Sequence, residues 1–133
     1  MTLVDGLARL LAGDEVPTPV ALPPGVTVRS SRLVTSLGGF LSGMGAPAAA
    51  VTLGRTVLVR PGTPLTERLV RHELAHVTQW NRHPVTFPFR YIGAHIRHGY
   101  QDNPYEREAR AAGTPRRSLR QRRPQRSGCS KVS

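Results

Sequence analysis

Residues 72–76 read His72-Glu73-Leu74-Ala75-His76, two imidazoles four positions apart with a carboxylate directly after the first. On an α-helix, positions four apart differ by about 40° in azimuth, so both rings leave the same face. Two histidines placed that way can bind one tetrahedral Zn²⁺ at about 2.0–2.1 Å. Glu73 projects about 100° from His72, beside such an ion rather than onto it, where it can act as general base on a water. A zinc ion brings the pKa of its water toward about 7 and polarises a carbonyl, which suits amide hydrolysis at neutral pH. The competing reading is a solvated helix face with two ordinary histidines. Against it, Leu65, Leu69, His72, His76 and Trp80 form one stripe at spacings of three and four. Histidines within a mostly apolar stripe need partners, because unpaired buried polar groups are costly.

A catalytic zinc takes a third protein ligand. A layout with Gly three residues past the second His and another His three further on fails here, since Gln79 and Arg82 hold those positions and His83 is out of register. The downstream candidates are His95, His98, Asp102, Glu106 and Glu108. Asn103-Pro104 is a helix-start signal, cap then proline, and it puts Glu106 in the first turn of a new helix. A carboxylate carried by a second helix suits the open site; the alternative is that Glu106 closes a capping box with Asn103. An oxyanion donor is needed as well. Tyr100, Tyr91, Tyr105, His98 and Arg97 are the candidates, and Tyr100 is preferred.

The elements that must position these groups follow from local signals. Leu3, Leu7, Leu10 and Leu11 have helical spacing within Thr2–Leu11, and Gly13 to Pro24, with four prolines, reads as an extended linker. Val26-Thr27-Val28 reads as a short strand. Ala49–Leu53 and Thr56–Arg60 are β-branched runs around Gly54-Arg55, a pattern for a hairpin with a type II′ turn. Thr63 and Pro64 predict the start of a helix running to Asn81, with a further helix over Phe89–Arg97 and a last one over Asn103–Ala112. Ser36 to Gly45, with four glycines, supports no assignment.

The run Leu65–Gln79, with its H-E-L-A-H-V-T-Q core, resembles the helix of small gluzincin-type bacterial metallopeptidase domains. Among these is a domain of unknown function often encoded near extracellular contractile injection systems. Its relatives carry H-E-L-x-H-V-x-Q and a later E-R-E-A, matched here by Glu106-Arg107-Glu108-Ala109; the resemblance covers about residues 49–112. It implies an α+β, zincin-like minimal domain: a small hairpin or sheet packed on the active-site helix, and a second helix supplying the third ligand. It also implies His72, His76 and Glu106 as zinc ligands, Glu73 as the catalytic base, and a protein or peptide substrate. In relatives the substrate lies along an exposed strand, for which Thr56–Arg60 is the expectation. One departure is evident: gluzincins often place an acid four residues after the third ligand, where this chain has Arg110. Support for a ligating histidine must then come from elsewhere, with Asp102 as the candidate.

The rest of the composition bounds the alternatives. With 133 residues there is room for one modest core. The organisation expected is an amphipathic segment and Pro-rich linker over 1–25, the catalytic domain over 26–113, and a disordered basic tail over 114–133. The chain carries a formal charge of +11, but seven basic and no acidic residues lie from Thr114 onward, so the body holds only about +4. A cationic tail without aromatics fits weak contact with phosphate on nucleic acid or an anionic surface. The single cysteine, Cys129, excludes an internal disulfide and a Cys-based zinc cage. No apolar run is long enough to span a membrane and no signal peptide is evident, so a cytoplasmic location is expected, with export through a specialised machine left open; a monomer is also expected. Besides the metallopeptidase, two other classes fit: a zinc-binding interaction module without turnover, and a nucleic-acid-associated protein with structural zinc.

Overall fold

The computed structural model describes residues 3–34, 36 and 49–114. The basic tail beyond Thr114 and most of the glycine-rich 36–45 stretch lie outside them. The fold is α+β, as expected. In chain order it comprises α1 (Leu3–Leu11), β1 (Thr27–Ser30), β2 (Ala50–Leu53), β3 (Thr56–Val59), α2 (Glu67–Arg82), α3 (Phe87–Asp102) and α4 (Pro104–Gly113).

The β2–β3 hairpin forms with Leu53 opposite Thr56. Only Gly54 in its loop has positive φ, +61°, which is the requirement of a type II′ turn. The turn also anchors α1: the Arg55 backbone N–H donates to Asp5 Oδ1 at 3.1 Å, and a Cβ at Gly54 would fall 2.6 Å from that oxygen. The sheet order is β1-β3-β2, with β1 parallel and β2 antiparallel to β3. The strand Thr56–Val59 is therefore central and fully buried, and cannot offer the free edge expected of it. The edge of β1 is partly covered too. Gly13 N–H donates to Ser30 O and Val16 N–H to Val28 O, so the stretch expected to be a linker runs along β1. That leaves β2. Arg60 N–H bonding to Ala49 O sets the ladder's phase, which turns the backbone groups of Ala50 and Thr52 outward. Of these, Thr52 O is taken by the Trp80 indole N–H at 3.2 Å.

Val26, Val28, Val57, Val59 and Val77 form the core, with Val16, Leu22, Ala50, Leu65 and Leu74 packed against it. Helix α2 lies between the sheet and α4. Its first turn corrects the sequence expectation. The cap is Thr66, whose hydroxyl accepts from Leu69 N–H at 3.1 Å, and the helix begins at Glu67 rather than Pro64. Of two Thr residues three apart, Thr66 is the one whose hydroxyl meets an N3 backbone N–H. Helix α3 is also longer than the Phe89–Arg97 expected. Pro88 falls in its first turn, where a missing N–H is harmless, so it starts the helix instead of interrupting it.

Candidate metal centre

On α2 the buried positions are Val70, Glu73, His76, Val77, Gln79 and Trp80. Val70, Glu73, Val77 and Trp80 recur at three and four, which turns Glu73 toward the sheet and His72 and His76 toward α4. Helix α4 opens as expected, with Asn103 Oδ1 accepting from Tyr105 N–H at 3.0 Å. Glu106 does not reach back to that cap. Its carboxylate faces both histidines, with Oε2 at 3.2 Å from His72 Nε2 and Oε1 at 3.3 Å from His76 Nε2. One donor atom from each of His72, His76 and Glu106 lies within 4.8 Å of the others, close enough to hold a metal ion.

Hydrogen-bond polarity shows what this arrangement lacks. Gln79 Nε2 donates to Tyr105 O and to Glu108 Oε2, both at 3.0 Å, and neither oxygen can do anything but accept. That orients the amide so that Gln79 Oε1 meets His76 Nδ1 at 2.8 Å, and Nδ1 must carry the proton. The neutral His76 then points an Nε2 lone pair at a carboxylate, two acceptors face to face. Only a positive charge relieves this, either a second proton on the imidazole or a cation between the groups. Burial pulls the His76 pKa down, but hydrogen bonding to Glu106 and the charges of Glu73 and Glu106 outweigh it, and the net shift is upward. Glu106 shows the complement: burial raises its pKa, yet the facing His72 and His76 imidazoles and the Tyr91 hydroxyl hold it well below the usual carboxylate range. Glu106 Oε2 is buried and has no hydrogen-bond partner. The donor set thus fits a cation.

Around the three groups stand residues whose parts the sequence did not reveal. Gln79, only 1% exposed, takes the supporting role assigned to Asp102, which lies exposed at the end of α3. Its signal was its place three residues after His76 on the same helical face. Glu108 continues the chain by pairing with Arg82 at 2.9 Å; its pKa is lowered by the Gln79 hydrogen bond, with burial opposing and Arg82 assisting. Tyr91 donates its hydroxyl to Glu106 Oε1 at 2.6 Å, and burial followed by the Glu106 charge pushes its pKa far up. Thr52 Oγ1 donates to Glu73 Oε2 at 2.7 Å and holds the carboxylate, 5% exposed, against β2. Tyr100 is half-buried under the Arg110 guanidinium, 6.0 Å from ring centroid to Cζ. Burial and the charges of Glu106 and Glu73 raise its pKa to about 12, so its hydroxyl stays protonated. Among the remaining sequence candidates, His95 and His98 are not in the cluster.

Fold and site together define a small α+β protein with a His-His-Glu cluster between two helices. Residues 43–84, less than half of the chain, match the family described as the eCIS core domain. That stretch contains the hairpin and all of α2, including His72, Glu73 and His76, but not Glu106. No curated protein and no solved structure matches the chain.

Proposed function

We propose that the chain is a zinc-dependent metallopeptidase of zincin-like build, with His72, His76 and Glu106 as ligands and Glu73 as general base. The observation that carries this reading is the buried Glu106 carboxylate set against two Nε2 atoms, its Oε2 without a hydrogen bond among the described residues. Donors of a tetrahedral site with bonds of about 2.0–2.1 Å lie roughly 3.3 Å apart. The separations of 3.2 and 3.3 Å agree with that. When bound, zinc polarises a substrate carbonyl and acidifies water.

The chain's own residues would share the remaining work. Glu73 takes the proton of the attacking water and delivers it to the leaving amine. Tyr100, protonated at neutral pH, donates its hydroxyl to the developing oxyanion. Tyr91 is committed to Glu106 Oε1 and holds that carboxylate in place. A peptide substrate would meet the edge of β2, the outer strand left among the described residues. The similarity to the eCIS core domain supports a protein partner within an extracellular contractile injection system. Among the described residues no helix is long and apolar enough to cross a membrane.

The test is metal content together with peptide cleavage by wild type and Glu73→Gln. The expected result is stoichiometric zinc in both and turnover only in wild type; equal cleavage by both would remove the enzyme from consideration. A second reading, a metal-binding module without turnover, is favoured by one contact. Thr52 engages Glu73 Oε2, and a base so held must release that bond or work through its other oxygen. Under this reading wild type binds zinc and cleaves nothing, and Thr52→Val brings no activity.

A further inference from the structure

Helix α3 turns one side toward the metal centre and leaves the other bare. Phe87 is buried beneath it and Tyr91 reaches Glu106, whereas Phe89, Ile92 and Ile96 are 73%, 54% and 80% exposed. Val85, in the turn leading into the helix, is 77% exposed. On the helix Phe89, Ile92 and Ile96 stand at spacings of three and four, with Val85 in the turn four residues before them. That is the narrow a/d seam of helix–helix packing, not the broad apolar face of a helix lying in a membrane surface. Gly93, next to the seam, has nothing within 4 Å of where a Cβ would be. Arg90 and Arg97, seven residues apart, border the same flank. From His83 to Gln101 the chain has two arginines, three histidines and no acidic residue.

We infer that the outer face of α3 docks a helix of a partner protein, one with an apolar seam flanked by Glu or Asp. Charge decides between the possible occupants. A second copy of the chain would bring Arg90 and Arg97 against cations of its own kind, within a molecule already at +11. The seam's width, about 60° of arc, suits one helix, and its arginine border suits acidic flanks. The inference does not rest on the peptidase reading, because the seam is exposed on the side of α3 away from Tyr91, the residue that reaches Glu106.

The full-length protein is titrated with a synthetic helical peptide of about three heptads, Leu at a and d and Glu at the flanks, followed by fluorescence anisotropy. A Lys-flanked version is the control. The expected result is saturable binding of the Glu peptide only, weakened about tenfold by Ile92→Glu and again by Arg90→Glu with Arg97→Glu. Each variant should keep the unfolding transition and metal content of wild type, since the substituted side chains are exposed. Binding that survives Ile92→Glu overturns the proposal. So does flotation of wild type, but not Ile92→Glu, with phosphatidylglycerol vesicles in the absence of peptide binding, which would make the face a lipid surface. Dimerisation in sedimentation that Ile92→Glu abolishes overturns it as well and assigns the seam to self-association.

Discussion

Helices α2 and α3 each span 16 residues, α2 unbroken and α3 broken at Gly99, and they are held by different means. Helix α2 is packed on two sides, against the sheet and against α4, and is capped by Thr66. The polar groups that its two faces bring inward meet partners: Glu73 meets Thr52, His76 meets Gln79, and Trp80 meets Thr52 O. Helix α3 is packed on one side. Its cap position, Thr86, makes no side-chain cap bond, and its backbone leaves the helical region at Gly99. The difference teaches that a cluster needing fixed geometry takes both its histidines from the helix with two packed faces and its carboxylate from α4, packed against that helix. The one-sided helix supplies only groups that act at the ligands' margin, Tyr91 and Tyr100.

The strongest test of that contrast is aromatic truncation in each helix. Trp80→Ala should cost about 3–5 kcal/mol, because it removes a buried indole and leaves Thr52 O without its donor. Phe89→Ala, at an exposed position, should stay within about 0.5 kcal/mol of wild type. Urea denaturation measures both. Comparable losses would mean that α3 is packed in solution as tightly as α2.

Supporting contacts to the ligands should divide the same way. Gln79→Ala removes the acceptor that fixes the His76 tautomer, and metal affinity should fall by about 10–100-fold in a chelator competition. Tyr91→Phe deletes one donor to Glu106 from the looser helix and should have the smaller effect. If the order reverses, Glu106 rather than His76 limits binding.

The break in α3 gives a third contrast. Gly99 has φ +74° and ψ 176°, a region open to glycine alone, and nothing lies within 4 Å of where a Cβ would stand. Gly99→Ala should therefore cost about 1–3 kcal/mol through the backbone alone, read from the thermal transition. An unchanged transition with altered Tyr100 environment would show the helix running straight through position 99.

What the sequence made legible follows the same division. The His-Glu-x-x-His spacing, the Asn103-Pro104 start and the Gly54 turn are local signals, and each lies where it was expected. Glu106 as the group facing both histidines was reachable because a helix start fixes its direction. Three things were not legible. The order β1-β3-β2 depends on a parallel pairing between segments far apart in sequence, so the central place of Thr56–Val59 carried no local mark. The role of Gln79 needs Tyr105 and Glu108, from a helix whose angle of approach no periodicity reveals. The leucines of α1 have helical spacing, but it is Ala8 that is buried while Leu3, Leu7 and Leu10 are exposed; spacing names a stripe without saying which side the core takes.

The finest distinction between the two helices is at their first turns. Thr66 and Thr86 are the same residue at the same position, and only Thr66 accepts a backbone N–H, that of Leu69 at 3.1 Å. Thr86 has helical φ and ψ of −92° and −14°, and Arg90 Nε donates to its hydroxyl at 3.3 Å instead. Thr66→Ala should then lower stability by about 1 kcal/mol, the usual worth of an N-cap hydroxyl. Thr86→Ala removes one exposed side-chain contact and should change stability by less than about half as much. Paired denaturation curves resolve the two, and equal losses would show that α3 gains a working cap in solution.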